Sequence, residues 1–129
     1  MAAFGMRKET GSSYDEVLLK LPDLLKAEGF GVLTQIDVKE TLKQKIGVDF
    51  RRYKILGACN PSLAHKALTA ETEIGVMLPC NVIVYEDDRG KAVVVAIDPM
   101  QTIAAQSPTL APIAGEVRQR LSRVLENVS

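Results

Sequence analysis

Two cysteines and one histidine are the side chains of this protein best suited to chemistry. Cys59 and His65 share the stretch ILGACNPSLAHKAL, residues 55–68, and Cys80 opens the stretch CNVIVYE. Asn60 and Pro61 form a helix start, because asparagine caps the free N–H groups and proline loses no hydrogen bond at the first helical position. Cys59 therefore lies just before a helix N-terminus, where unpaired N–H groups and the helix dipole gather partial positive charge. A thiolate is stabilised in that place and is a better nucleophile at neutral pH. The same environment would bind a phosphate or a carboxylate. His65 stands about one and a half turns into the helix, too far to reach Cys59 along the helix surface.

Cys80 repeats part of this pattern, since Ala58-Cys59-Asn60-Pro61 and Pro79-Cys80-Asn81-Val82 both carry Cys-Asn at a strand end. If those two strands pair, the thiols approach one another. Two thiolates and an imidazole would then make a three-ligand set for zinc or another thiophilic metal, although the spacing is not that of a CxxC pair. The structural alternatives are equally concrete. Free cysteine behaves as a small buried hydrophobe, and Cys80 leads into a valine-rich strand. His65, beside Lys66, reads as an exposed helical residue. A thiol enzyme would also need a base and an oxyanion site, and the sequence offers only His65 or a carboxylate such as Asp98 as base. The candidate ligand site is thus Cys59, Asn60, His65 and Cys80, with no catalytic residue, cofactor or metal assigned.

Other motifs are missing. Gly29-Phe30-Gly31 lacks the third glycine and the preceding strand of a phosphate loop, and neither HExxH nor GxSxG occurs. Arg51-Arg52-Tyr53 could serve an anion, but charges at the start of a strand usually face water. Glu86, Asp87 and Asp88 are most simply solvated residues of a hairpin tip.

Local signals place these residues on elements. A first strand is expected over 3–9. Ser13 and Glu16 read as a capping box ahead of a helix whose apolar face is Val17, Leu18, Leu21, Leu24 and Leu25, ended by Gly29. Pro22 should bend or break that helix locally. A second strand over 30–36 leads to an Asp37-capped helix, stopped at Gly47, with Val38, Leu42 and Ile46 inward. A third strand spans 52–58, followed by the Asn60-capped helix with Leu63, Ala64, Ala67 and Leu68 as its apolar face. Residues 80–86 and 91–98 are the strongest strands, joined as a hairpin through Asp87-Asp88-Arg89-Gly90. The segment 100–107 is apolar for a connection, and covering the sheet, lining a pocket and meeting a partner are all open to it. A long amphipathic helix from Leu110 to Val128 closes the chain, with Arg118, Arg120 and Arg123 toward solvent. The order β-α-β-α-β-α-β-β-α, with a closing hairpin, predicts a partly antiparallel sheet in an α+β fold.

The 129 residues fit a single domain, 1–129, and a chain of this size buries about two-thirds of its unfolded surface. Sixteen basic and sixteen acidic residues leave no net charge, which argues against broad binding to nucleic acid or acidic membrane. The N-terminus lacks the apolar segment of a signal peptide, and the six-residue run Ala92–Ile97 is far too short to cross a bilayer. A cytoplasmic location with reduced thiols is expected.

The blocks GACNPSLAHKAL and LPCNVIVYE, within GFGVLTQIDVKETLKQKIGVDFRRYKILGACNPSLAHKAL and EIGVMLPCNVIVYE, give the chain a family resemblance. It resembles the bacterial and archaeal domain-of-unknown-function family number 302 over nearly its whole length. The matching positions are Cys59, Asn60, Pro61, Ala64, His65, Pro79, Cys80 and Asn81. The resemblance implies a TATA-box-binding-protein-like fold, a curved and mainly antiparallel sheet with helices on one face, and a homodimer. It implies no activity, and DNA binding does not follow from such a fold. Three functions remain open: a domain binding a small ligand, metal or sulfur species near Cys59; a homodimeric interaction module without catalysis; and a thiol-dependent enzyme.

Overall fold

The computed structural model describes residues 4–129; Ala3, expected to begin the first strand, lies outside the described residues. Five strands and four α-helices follow in the expected order: β1 (Met6–Glu9), α1 (Tyr14–Ala27), β2 (Gly31–Asp37), α2 (Val38–Ile46), β3 (Tyr53–Cys59), α3 (Pro61–Ala70), β4 (Cys80–Glu86), β5 (Ala92–Ala96) and α4 (Ala111–Asn127). Three short 3₁₀ turns, Thr72–Met77, Pro99–Gln101 and Ile103–Gln106, fill connections for which the sequence carries no periodic signal. The strands form one open sheet in the order β1-β5-β4-β3-β2, and every neighbouring pair is antiparallel.

The caps act as their residue types require. The Ser13 side chain accepts from the Glu16 N–H while the Glu16 carboxylate accepts from the Ser13 N–H, so both arms of the capping box are made. Asp37 accepts from Glu40 N–H, and Asn60 from Leu63 N–H at 3.2 Å. α1 runs on through Pro22, which is exposed and cannot donate to the helical ladder. Gly29 takes the left-handed φ of +86° that lets the chain leave α1.

One face of the sheet carries the core. Leu56, Val82 and Ala96 lie in one cross-strand row and pack, with Ala58, Val84 and Val94, against Val17, Leu21 and Leu25 of α1 and Leu121, Val124 and Leu125 of α4. Each large side chain buried here contributes roughly 1.5–3 kcal/mol relative to exposure. The opposite face has the row Ile36, Ile55, Ile83 and Val95, with Tyr53 and Tyr85 stacked beside it at 5.7 Å between ring centroids.

The helix α2 departs from expectation. Its three apolar residues were expected inward, yet α2 buries no residue, and Ile46 is 67% exposed. The cause is topological: α2 joins the edge strand β2 to β3, beyond the reach of the α1–α4 layer. The arginines of α4 also differ from simple solvated groups. Arg118 Nε donates to Asp98 at 2.9 Å, Arg120 donates to Glu116 and to the Glu28 carbonyl, and Arg123 donates to Glu28. They tie α4 to the chain after β5 and to the end of α1.

Candidate functional site

The two cysteines lie at one end of the β3–β4 pair. Cys59 is the last residue of β3 and Cys80 the first of β4; Ala58 stands directly opposite Cys80 in the register. Both cysteines, together with Asn60, line one cavity of about 80 Å³. Its walls come from β3 and β4, from Leu63, Ala64 and Ala67 of α3, and from Ile113, Ala114 and Val117 of α4. Its roof is the set of 3₁₀ turns and their flanks, through Ile74, Met77, Thr102 and Ala104. The apolar connection after β5 therefore lines a pocket.

The cavity has a sequence origin. Ala58, Ala64, Ala67, Ala104 and Ala114 all face it, at positions where larger side chains would close the space between α3, α4 and the sheet. A satellite cluster of Ala67, Ala104, Leu110 and Ala114 holds the roof to the two helices. The strand ends are held close by glycine. A Cβ on Gly57 would strike Thr34 Oγ1 and lie 2.7 Å from Pro79 Cγ, and a Cβ on Gly29 would lie 2.8 Å from Asn60 Nδ2.

The lining contains no Asp, Glu, His, Lys or Arg. The oxygens of its polar side chains are already engaged. Asn60 Oδ1 caps α3, and Thr102 Oγ1 donates to the Pro99 carbonyl at 2.6 Å while accepting from the Ala104 N–H. Burial, with the nearby Cys59 thiol as a smaller cause, pushes the Cys80 thiol up to about 11, so at neutral pH it is a protonated S–H.

Two expected participants are elsewhere. His65 is exposed on α3 and does not line the cavity, because its position one and a half turns on carries it to the outer face of the helix. Among the described residues, no three His, Cys, Asp or Glu side chains are placed to share a metal ion, so the Cys59, His65 and Cys80 set is not assembled. Asp98 is buried, but its carboxylate is taken by Arg118 Nε and the Met100 N–H, both at 2.9 Å. Met77 was not singled out in the sequence, where a methionine in an apolar run reads as packing.

Residues 6–128 match the family described as Domain of unknown function DUF302. The chain is also similar to a solved structure, the crystal structure of an uncharacterized conserved protein DUF302 from Bacillus stearothermophilus. The two are 32% identical with a TM-score of 0.90, and the match covers 99% of this chain and 100% of that one. No curated protein matches it. A shared fold over the whole length and a family match over all five strands lead to one conclusion: the chain belongs to the DUF302 family.

Proposed function

We propose that the chain, as a single cytoplasmic domain over 1–129, binds a small apolar ligand in the cavity beside Cys59 and Cys80. The observation that carries this reading is an uncharged, alanine-rich cavity that has both cysteines among its lining residues. A dry apolar cavity takes up apolar guests, and one of about 150 Å³ holds benzene. This cavity is smaller, so its occupant is a group of a few atoms unless the roof moves aside. Binding is favoured over thiol catalysis because His65 lies outside the cavity and the Asp98 carboxylate is already bound.

Xenon is a suitable probe. Titration should shift the NMR signals of Ala67, Ala104 and Leu110, and Ala67→Leu should abolish the shifts by filling the space. Native mass spectrometry of the freshly purified protein would show any retained guest. No xenon shift, no retained species and a Cys59 alkylation rate equal to that of free cysteine would overturn the reading.

A second observation supports a homodimer. Leu33 and Ile46 are each 67% exposed, and Ile36, Val48 and Phe50 are also exposed, all within the segment from β2 to the start of β3. Apolar groups clustered in this way mark a contact surface, and a second copy of this neutral chain is its simplest occupant. Sedimentation equilibrium tests it: the parent should be dimeric, and a monomeric parent would reject it.

A further inference from the structure

We infer that the cavity receives the methyl end of an unbranched hydrocarbon chain, whose remainder leaves through the roof past Leu68, Val76 and Ile103. The ligand is then a single-chain amphiphile of the fatty-acid class. This rests on the reading of the cavity as an apolar site and names the class of ligand that it takes.

The cavity limits the shape of its guest. Its volume of about 80 Å³ is well below the roughly 150 Å³ that holds benzene, so a ring is too broad where a slender chain end is not. The floor and helix walls include Phe30, Ala58, Leu63 and Val117, all of them buried. The roof residues Ile74, Met77, Pro99 and Thr102 are only half-buried. The roof is therefore a thin side of the cavity, with water on its outer surface.

Apolar character continues across that roof to the outside. Val76 is 90% exposed and precedes Met77, and Ile103 is 63% exposed between Thr102 and Ala104. Leu68 and Met100, also exposed, follow the lining residues Ala67 and Pro99. Gly75 lets the first 3₁₀ turn approach α3 at this place, since a Cβ on it would lie 3.7 Å from Leu68 Cδ2. No charged residue occurs from Ile74 to Tyr85 or from Pro99 to Gly115, in a chain that is 25% charged. A hydrocarbon passing between these segments strips water from no charge, and exposed apolar side chains around a cavity are what such a chain would cover.

The head group is placed by the same chemistry. The lining has no cation to receive a carboxylate, so the polar end stays in water and recognition falls on the tail. The surface is also separate from the exposed residues of α2 and of 48–50. Those lead into Tyr53, where β3 begins, whereas the cavity adjoins Cys59, where β3 ends.

The test is calorimetric titration of the full chain with hexanoate, octanoate and decanoate, each below its micelle concentration. Each added CH₂ should tighten binding about fourfold. A chain of the same length ending in a tert-butyl group should bind about 10-fold more weakly than decanoate, because its end overfills the cavity. Val76→Asp and Ile103→Asp should each weaken decanoate binding about 10-fold by placing a charge on the exit. The xenon shifts at Ala67 and Leu110 should persist in both variants, which shows that they fold and keep the cavity. Equal affinity along the series, a tert-butyl chain that binds like decanoate, or decanoate binding unchanged in both variants would overturn the inference. Xenon uptake without decanoate uptake also overturns it and leaves the apolar-guest reading intact, whereas absence of both removes both. Co-sedimentation with phosphatidylcholine vesicles in the absence of decanoate binding counts against it too, because the exposed side chains would then serve a bilayer surface.

Discussion

Gly57 and Cys80 show how single residues set the site. Gly57 faces Asn81 in the register, one position from the thiol-bearing end of β4, and its missing side chain lets Thr34 and Pro79 close over the strand. Gly57→Ala should destabilise the protein by about 1–3 kcal/mol, read as a lower urea midpoint, because the neighbouring strand and proline must shift. Cys80 makes a pH-dependent contribution. Its folded value of about 11 lies above the ordinary 9.0, so the folded state holds the proton more tightly than the unfolded chain. That stability is fully present below pH 9 and is lost as pH rises from 9 through 11. The loss amounts to roughly 2 kcal/mol. Urea unfolding of the parent should weaken across that window more than unfolding of Cys80→Ala, and equal slopes would contradict the assignment. The Asn60-Pro61 cap was legible in the sequence because capping is a local event. The cavity that Cys59, Met77 and Cys80 line was not, because it depends on how the connections fold over the sheet.

At the scale of elements, end signals were more informative than face assignments. Ser13, Asp37 and Asn60 each cap the helix they were expected to cap. Ser13→Ala removes the hydroxyl that accepts from the Glu16 N–H, leaving only the backbone arm of the capping box, and should lower stability by about 1 kcal/mol in a thermal or urea melt. For α2 the helix itself was legible but its buried face was not. Three-and-four spacing shows that one side is more apolar; it does not show that anything covers that side. Ile46→Glu should therefore change monomer stability by less than about 0.5 kcal/mol. In sedimentation the same substitution should convert a dimer to a monomer. The 3₁₀ turns that roof the cavity escape pattern reading for another reason. Each is about one to two turns long, too short to display a period.

For the whole molecule, the α+β class, the antiparallel hairpin of β4 and β5 and the helix layer on one sheet face follow from local turn chemistry and hydrophobic spacing. The sheet order does not. The pairing of β1 with β5 joins residues far apart in sequence, and just before it the chain at Gly5 runs so close that a Cβ there would strike the Ala96 carbonyl oxygen. No helix among the described residues is long and apolar enough to cross a membrane. The cavity is a property of this scale as well, since it exists only where two helices, two strands and three turns converge on alanines. Ala67→Leu should fill it, raise the melting temperature slightly or leave it unchanged, and abolish xenon binding.

The open sheet has two free margins of unlike character. β1 is four residues long and carries Arg7, Lys8 and Glu9, whereas β2 is seven residues long and has no charged side chain before Asp37. A short charged margin resists strand addition, and a longer neutral one permits it. Sheet extension would therefore be less hindered at β2 than at β1, although the register shift between Val32 and Thr34 interrupts the β2 margin. A two-fold pairing at β2 would consume that margin in both copies and leave only the short charged ends outward, so such an assembly would stop at two copies rather than extend into a fibre.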